Sequence, residues 1–146
     1  MNVERAVSEL TELRETLAQR QQVQVSYDLA TRGVIRIDGL EFPPGWETPD
    51  GSRRGAVLLD LPEEYPRYRP RVYISESMRL RGDRPPVMVP ERIDGDGRWA
   101  QVDVFSADAE WNPETDDLLT IFERLQRRLR SQAATGRDSD DAVEDC

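Results

Sequence analysis

The sequence predicts an α+β domain, from an amphipathic segment at residues 3–20, several short apolar runs with strand alternation, and a second amphipathic segment after Asn112-Pro113. In the first segment Val3, Val7, Leu10, Leu13 and Leu17 recur at helical spacing, with glutamates and arginines between them. Val23, Val25, Tyr27 and Leu29 alternate with other residues as a strand does. Val34, Ile35 and Ile37 continue the pattern in part, and Gly33 supplies a turn between the two runs. Ala56 to Leu61 is an apolar run bounded by Gly55 and Pro62, which reads as a well-buried strand. Arg71 to Ser75 reads as a fourth. The expected order is a helix followed by a four-stranded antiparallel meander.

Residues 76–98 predict an irregular segment. Pro85, Pro86 and Pro90 remove backbone donors, and Gly82, Gly95 and Gly97 loosen the chain. A short extended piece is expected within 99–105. The second helix is expected to open at Asn112-Pro113, with Asn112 as N-cap and Pro113 at the first helical position; Thr115 is an alternative cap. Leu118, Phe122, Leu125 and Leu129, with Ile121 beside them, form the stripe that would pack on the sheet. Glu114, Asp116 and Asp117 suit the positive end of its dipole, and Arg124, Arg127, Arg128 and Arg130 the other end. Residues 132–146 hold five acids against one arginine, and Val143 is their only large apolar side chain. So little apolar surface cannot offset ordering entropy, which predicts a folded domain over 1–131 and an acidic mobile tail over 132–146.

Composition excludes much chemistry. The chain has 146 residues, no histidine, one cysteine (Cys146), and 20 basic residues that are all arginine. Ser-His-Asp and Cys-His catalysis, zinc sites built on histidine or several cysteines, lysine Schiff bases and the Walker lysine are all out of reach. No cofactor and no metal site is expected. A net charge of −9 speaks against binding nucleic acid along its backbone. No stretch has the roughly 18–20 apolar residues of a membrane span, and the N-terminus lacks the apolar core of a signal peptide. With a single thiol, this predicts a cytoplasmic protein.

Residues 61–74 read LPEEYPRYRPRVYI. Pro62, Tyr65, Pro66 and Pro70, with the apolar Leu61, Val72 and Ile74, resemble the segment of ubiquitin-conjugating enzymes (the E2, or UBC-like, superfamily) that runs from the third strand through a proline-locked turn into the fourth. Trp111-Asn112-Pro113 is similar to that family's Trp-Ser-Pro element, and an amphipathic stretch follows it, as in the family. With the N-terminal helix, the resemblance covers most of residues 1–131 and implies a UBC-like fold. Phe42-Pro43-Pro44-Gly45-Trp46 looks more like prokaryotic members than eukaryotic ones.

The catalytic centre does not carry over. The family has a His-Pro-Asn string and then a cysteine in the pattern Cys-Leu-Asp-Ile-Leu. Here Gln101-Val102-Asp103-Val104-Phe105 lies best on that pattern, so Gln101 takes the cysteine position, and no His-Pro-Asn occurs. Holding a modifier as a thioester needs a thiolate nucleophile and a sulfur leaving group, neither of which a glutamine amide offers. The role implied is a non-catalytic, E2-variant adaptor. It would bind a ubiquitin-like modifier, or an E1-like or E2-like protein, in a prokaryotic protein-modification system. Two other classes are an active modifier-transferring enzyme that uses Cys146 or another residue, and an RWD-like protein- or peptide-binding module. In such proteins the turn after the third strand and the loop before the second helix lie on a partner-facing rim. This makes Arg67, Tyr68 and Arg69, with Asn112, Pro113 and Glu114, the candidate partner-binding residues, and tyrosine and arginine are enriched at interface hot spots. Tyr65 and Trp111 are read as packing residues.

Other motifs carry less. Glu144 and Asp145 surround Cys146 with charge that disfavours a thiolate, so it reads as an incidental thiol. Asp94-Gly95-Asp96-Gly97 lacks the remaining ligands of a calcium loop and reads as a turn. The acidic, arginine-only composition fits a high-GC genome, including one of a salt-loving organism, or a protein that offers no acceptor amine to a lysine-modifying system.

Overall fold

The computed structural model describes residues 2–20, 23–29, 33–93, 97–105 and 111–144, with residues 20 and 135–144 given by backbone alone. Helix α1 spans Val3–Arg20. It turns Ala6, Leu10, Leu13 and Leu17 inward, while Val3 and Val7 stay nearly half exposed. The buried stripe therefore starts at Ala6 rather than Val3, and this rotation also brings Glu9 inside.

The chain then forms β1 (Gln24–Asp28), β2 (Val34–Glu41), the two-residue β3 (Trp46–Glu47), β4 (Arg54–Asp60), β5 (Arg71–Ser75), a second two-residue strand β6 (Arg79–Leu80), β7 (Val89–Ile93), β8 (Gly97–Gln101) and helix α2 (Leu118–Glu144). The architecture is α+β, as predicted: an N-terminal helix, an antiparallel sheet and a C-terminal helix. The expected meander is present as β1-β2-β4-β5, but the sheet has six strands, in the order β1-β2-β4-β5-β8-β7.

The irregular segment predicted over 76–98 is irregular only in part: residues 76–78 and 81–88 lie outside the named strands, but the stretches between and after them pair. Its first part forms β6, which pairs with β3 through Trp46–Leu80 and Glu47–Arg79. Its later part forms β7, which makes a hairpin with β8. Pro90 does not break β7 because that strand is outermost and needs donors on one side only. Gly97 has a φ of 86°, a conformation that favours glycine, where the chain enters β8. Trp99 and Ala100 are buried and anchor the hairpin to the sheet.

Strand alternation divides the core in two. Ile35, Ile37, Val57, Leu59, Val72 and Ile74 share one cluster with α1 and with Leu118, Ile121, Phe122, Leu125 and Leu129 of α2. Val34, Leu58, Tyr73 and Trp99 form a smaller cluster on the opposite face. The Arg36 guanidinium lies 5.2 Å from the centre of the Trp99 ring and covers part of it.

Helix α2 starts at Leu118, not at Pro113. Asn112 instead closes a turn: its carbonyl accepts the Asp116 N–H (2.8 Å) and its Oδ1 accepts the Glu114 N–H (3.0 Å). The cap is Asp117, whose Oδ1 accepts both the N–H (2.8 Å) and the hydroxyl (3.0 Å) of Thr120. The helix also continues past residue 131, through the segment predicted as a tail, to Glu144. Ala133 still packs against the core, and Arg81 Nη2 donates to its carbonyl (2.6 Å). Cys146, and residues 94–96 of the Asp94-Gly95-Asp96-Gly97 string read as a turn from the sequence, lie outside the described residues.

Gly55 marks a tight spot in β4. A Cβ there would lie 2.7 Å from Met78 Sδ and 3.1 Å from Phe42 Cε1, both on buried side chains. Gly55→Ala should therefore destabilise the protein by about 1–3 kcal/mol through overpacking, read as a lowered urea midpoint.

Candidate functional site

The turn after β4 is built by its prolines and by one buried carboxylate. The Tyr65 N–H donates to the Pro62 carbonyl (3.0 Å), the Arg67 N–H donates to the Glu64 carbonyl (2.8 Å), and Tyr65-Pro66 is cis. Tyr65 is buried, and its hydroxyl donates to Glu9 Oε1 (2.5 Å). The same oxygen accepts the N–H of Leu118, the first residue of α2 (3.0 Å), and Arg5 Nε pairs with Oε2 (2.7 Å). Glu9 thus ties α1, the proline turn and the start of α2 together. Burial, and then the bond to Glu9, hold the Tyr65 phenol well above the usual tyrosine range.

Trp111 joins the second recognised stretch to the first. Its Nε1 donates to the Pro66 carbonyl (2.7 Å), and its ring packs on Tyr65 and meets Phe105 edge-on (centroids 6.3 Å apart). Tyr65 and Trp111 are therefore packing residues, as read from the sequence, although Trp111 is only half-buried. Arg67, Tyr68 and Arg69 follow on the exposed side of the turn, with Tyr68 53% exposed. The Arg67 guanidinium lies over the Tyr68 ring at 5.5 Å, and that of Arg69 over Phe105 at 4.7 Å. Asn112 and Glu114 are exposed and Pro113 is partly so. The Trp111–Pro66 bond seats these two groups of predicted contact residues beside each other.

Next to this rim is a cleft of about 540 Å³ where β5, β7 and the end of β8 meet. Gln101, at the position the resemblance gives to the nucleophilic cysteine, is the last residue of β8 and lines the cleft. It stands opposite Tyr73 on one side and Val89 on the other. Beyond it, the Val102 N–H donates to the Val72 carbonyl (2.9 Å), and Asp103 Oδ1 accepts the Phe105 N–H (2.9 Å), which turns the chain away from the sheet. Pro86, Val87, Val104 and Phe105 give the cleft apolar walls, and Arg69, Arg71 and Arg128 supply positive charge. Among the described residues there is no thiol, and no group of histidine, cysteine, aspartate and glutamate side chains could hold a metal ion. The arrangement offers hydrogen bonds, apolar contact and cationic groups, which is the equipment of a binding surface.

No protein-family model, curated protein or solved structure matches the chain. No helix among the described residues is long and apolar enough to cross a membrane.

Two sets of residues escape a reading of the sequence alone. Glu9 reads as a solvent-facing charge, although its spacing of three from Ala6 and four from Leu13 puts it on the buried face of α1. The arginines of α2 read as partners of a helix end, but the helix runs on well beyond them.

Proposed function

We propose that this chain is a UBC-like, non-catalytic adaptor that binds a ubiquitin-like modifier, or an E1-like or E2-like protein, in a prokaryotic protein-modification system. The observation that carries the reading is Gln101 lining the cleft at the end of β8, at the place in the pattern where a conjugating enzyme needs sulfur. The strand facing it adds support. Val89 stands opposite Gln101 and Pro90 opposite Ala100, so the nearest neighbouring string is Val89-Pro90-Glu91. With the family's His-Pro-Asn string it shares only the central proline. Valine moves no proton. A glutamate carboxylate repels the oxyanion that an asparagine amide would stabilise. The proline turn, held by Glu9 and by the Trp111–Pro66 bond, presents Arg67, Tyr68 and Arg69 to solvent beside a cleft that has no thiol among the described residues, which supports a role in protein contact.

The test is a pull-down with the full chain at native salt. Recovery of a ubiquitin-like, E1-like or E2-like protein is the expected result, and recovery of none overturns the proposal. In parallel, incubation with the cognate activating enzyme, ATP and modifier should yield no thiol-sensitive adduct. An adduct lost in Cys146→Ala would show an active transferase instead. Once a partner is in hand, Arg67→Glu combined with Tyr68→Ala should weaken binding by about tenfold or more, with the melting temperature unchanged, because both side chains are exposed. An unaltered dissociation constant would remove this rim from the reading.

A further inference from the structure

The arginines of α2 gather where no carboxylate among the described residues neutralises them. Arg124, Arg127, Arg128 and Ser131 follow the spacing of one helix face. With Val104 and Phe105 they line a hollow of about 230 Å³ that adjoins the cleft. Among the described residues, every polar side chain lining it is a donor cation or a hydroxyl, and no carboxylate takes part. The Nε atoms of Arg124 and Arg128 are buried without a hydrogen-bond partner, and neither residue belongs to an ion pair among the described residues.

This contrasts with the rest of the molecule. The chain has 29 acids for 20 arginines, and other arginines find them: Arg5 with Glu9, Arg36 with Asp38, Arg84 and Arg98 with Glu76. The Phe105 ring lies 4.7 Å from the guanidinium carbons of both Arg69 and Arg124, which relieves part of the repulsion but accepts no hydrogen bond from a buried Nε–H. Asp103 lies in the neighbouring cleft, where its Oδ1 already accepts the Phe105 N–H.

We propose that the hollow formed by Arg124, Arg127, Arg128, Ser131, Val104 and Phe105 is an oxyanion site for the phosphate of a phosphate monoester, whose remaining part lies in the adjoining apolar-walled cleft. Guanidinium forks match the oxygens of carboxylates and phosphates alike. A monoester phosphate brings nearly two negative charges and three acceptor oxygens, against one charge for a carboxylate, and so answers three neighbouring arginines better. The inference rests on the face of α2 and not on the adaptor reading, so either can fail alone.

Calorimetric titration of the full chain tests it, with ionic strength held constant by sodium chloride. Inorganic phosphate should bind saturably, phenyl phosphate more tightly, and acetate without saturation. Arg127 is exposed, so Arg127→Gln should leave the melting temperature unchanged while weakening phosphate binding by about tenfold. Arg124→Gln combined with Arg128→Gln should abolish it. Saturable acetate binding equal to that of phosphate would overturn the proposal, as would wild-type affinity in Arg127→Gln. Phenyl phosphate binding no more tightly than inorganic phosphate would overturn the placement of the ligand's remainder in the cleft. If the double variant does not fold, Arg127→Gln decides the matter.

Discussion

Trp46→Ala is expected to destabilise the protein by about 3–5 kcal/mol, the range for deleting a fully buried tryptophan. Trp46 has no exposed surface, and its ring packs at a tilt against Phe42 with centroids 6.0 Å apart. Its Nε1 donates to the Leu129 carbonyl of α2 (3.0 Å), which pins the β3–β6 pair to the C-terminal helix. Alanine would leave a cavity beneath β6 and remove the hydrogen bond from the indole to α2. Trp46→Phe refills much of that space without the N–H, so it should fall between alanine and wild type. Urea denaturation followed by circular dichroism measures both. A loss below about 1 kcal/mol for alanine would contradict the packing of this strand pair on α2.

Glu9→Ala is the second large effect, at roughly 2–5 kcal/mol. It leaves the Tyr65 hydroxyl and the Leu118 N–H without their acceptor, and each such buried group costs about 1–3 kcal/mol. Glu9→Gln keeps an acceptor oxygen and should cost less. A double-mutant cycle with Tyr65→Phe separates the contact from general packing. The pair of substitutions should cost less than the sum of the two, because phenylalanine has no hydroxyl to strand. Strict additivity would mean that the Tyr65–Glu9 bond contributes nothing to stability.

The parts of the fold that were legible are those where local pattern and burial agree. Ile35, Ile37 and Val57 to Leu59 alternate between two apolar faces, so β2 and β4 are visible without any partner. Pro90 misleads because a proline reads as a breaker, and only the position of β7 at the margin of the sheet makes it harmless. The start of α2 was ambiguous for a different reason. Asn112 and Asp117 are both competent caps, and the choice falls to Asp117 where Glu9, more than a hundred residues earlier, takes the Leu118 N–H. The rim residues Arg67 to Arg69 and Asn112 to Glu114 stood out because they flank recognisable motifs. Glu9 and the α2 arginines did not, since a charge on a helix reveals its surroundings only when the neighbouring elements are in place.

The outer margin at β7 also bears on how this protein meets copies of itself. All of Val89 to Arg92 is exposed, and a free strand margin of this kind can template pairing with another chain. Pro90 offers no N–H to an incoming strand, and Glu91 and Arg92 set opposite charges on adjacent positions that a second copy must match. The hairpin thus carries its own guard against sheet extension and fibril growth, which matters for a protein whose sheet is otherwise long enough to be extended.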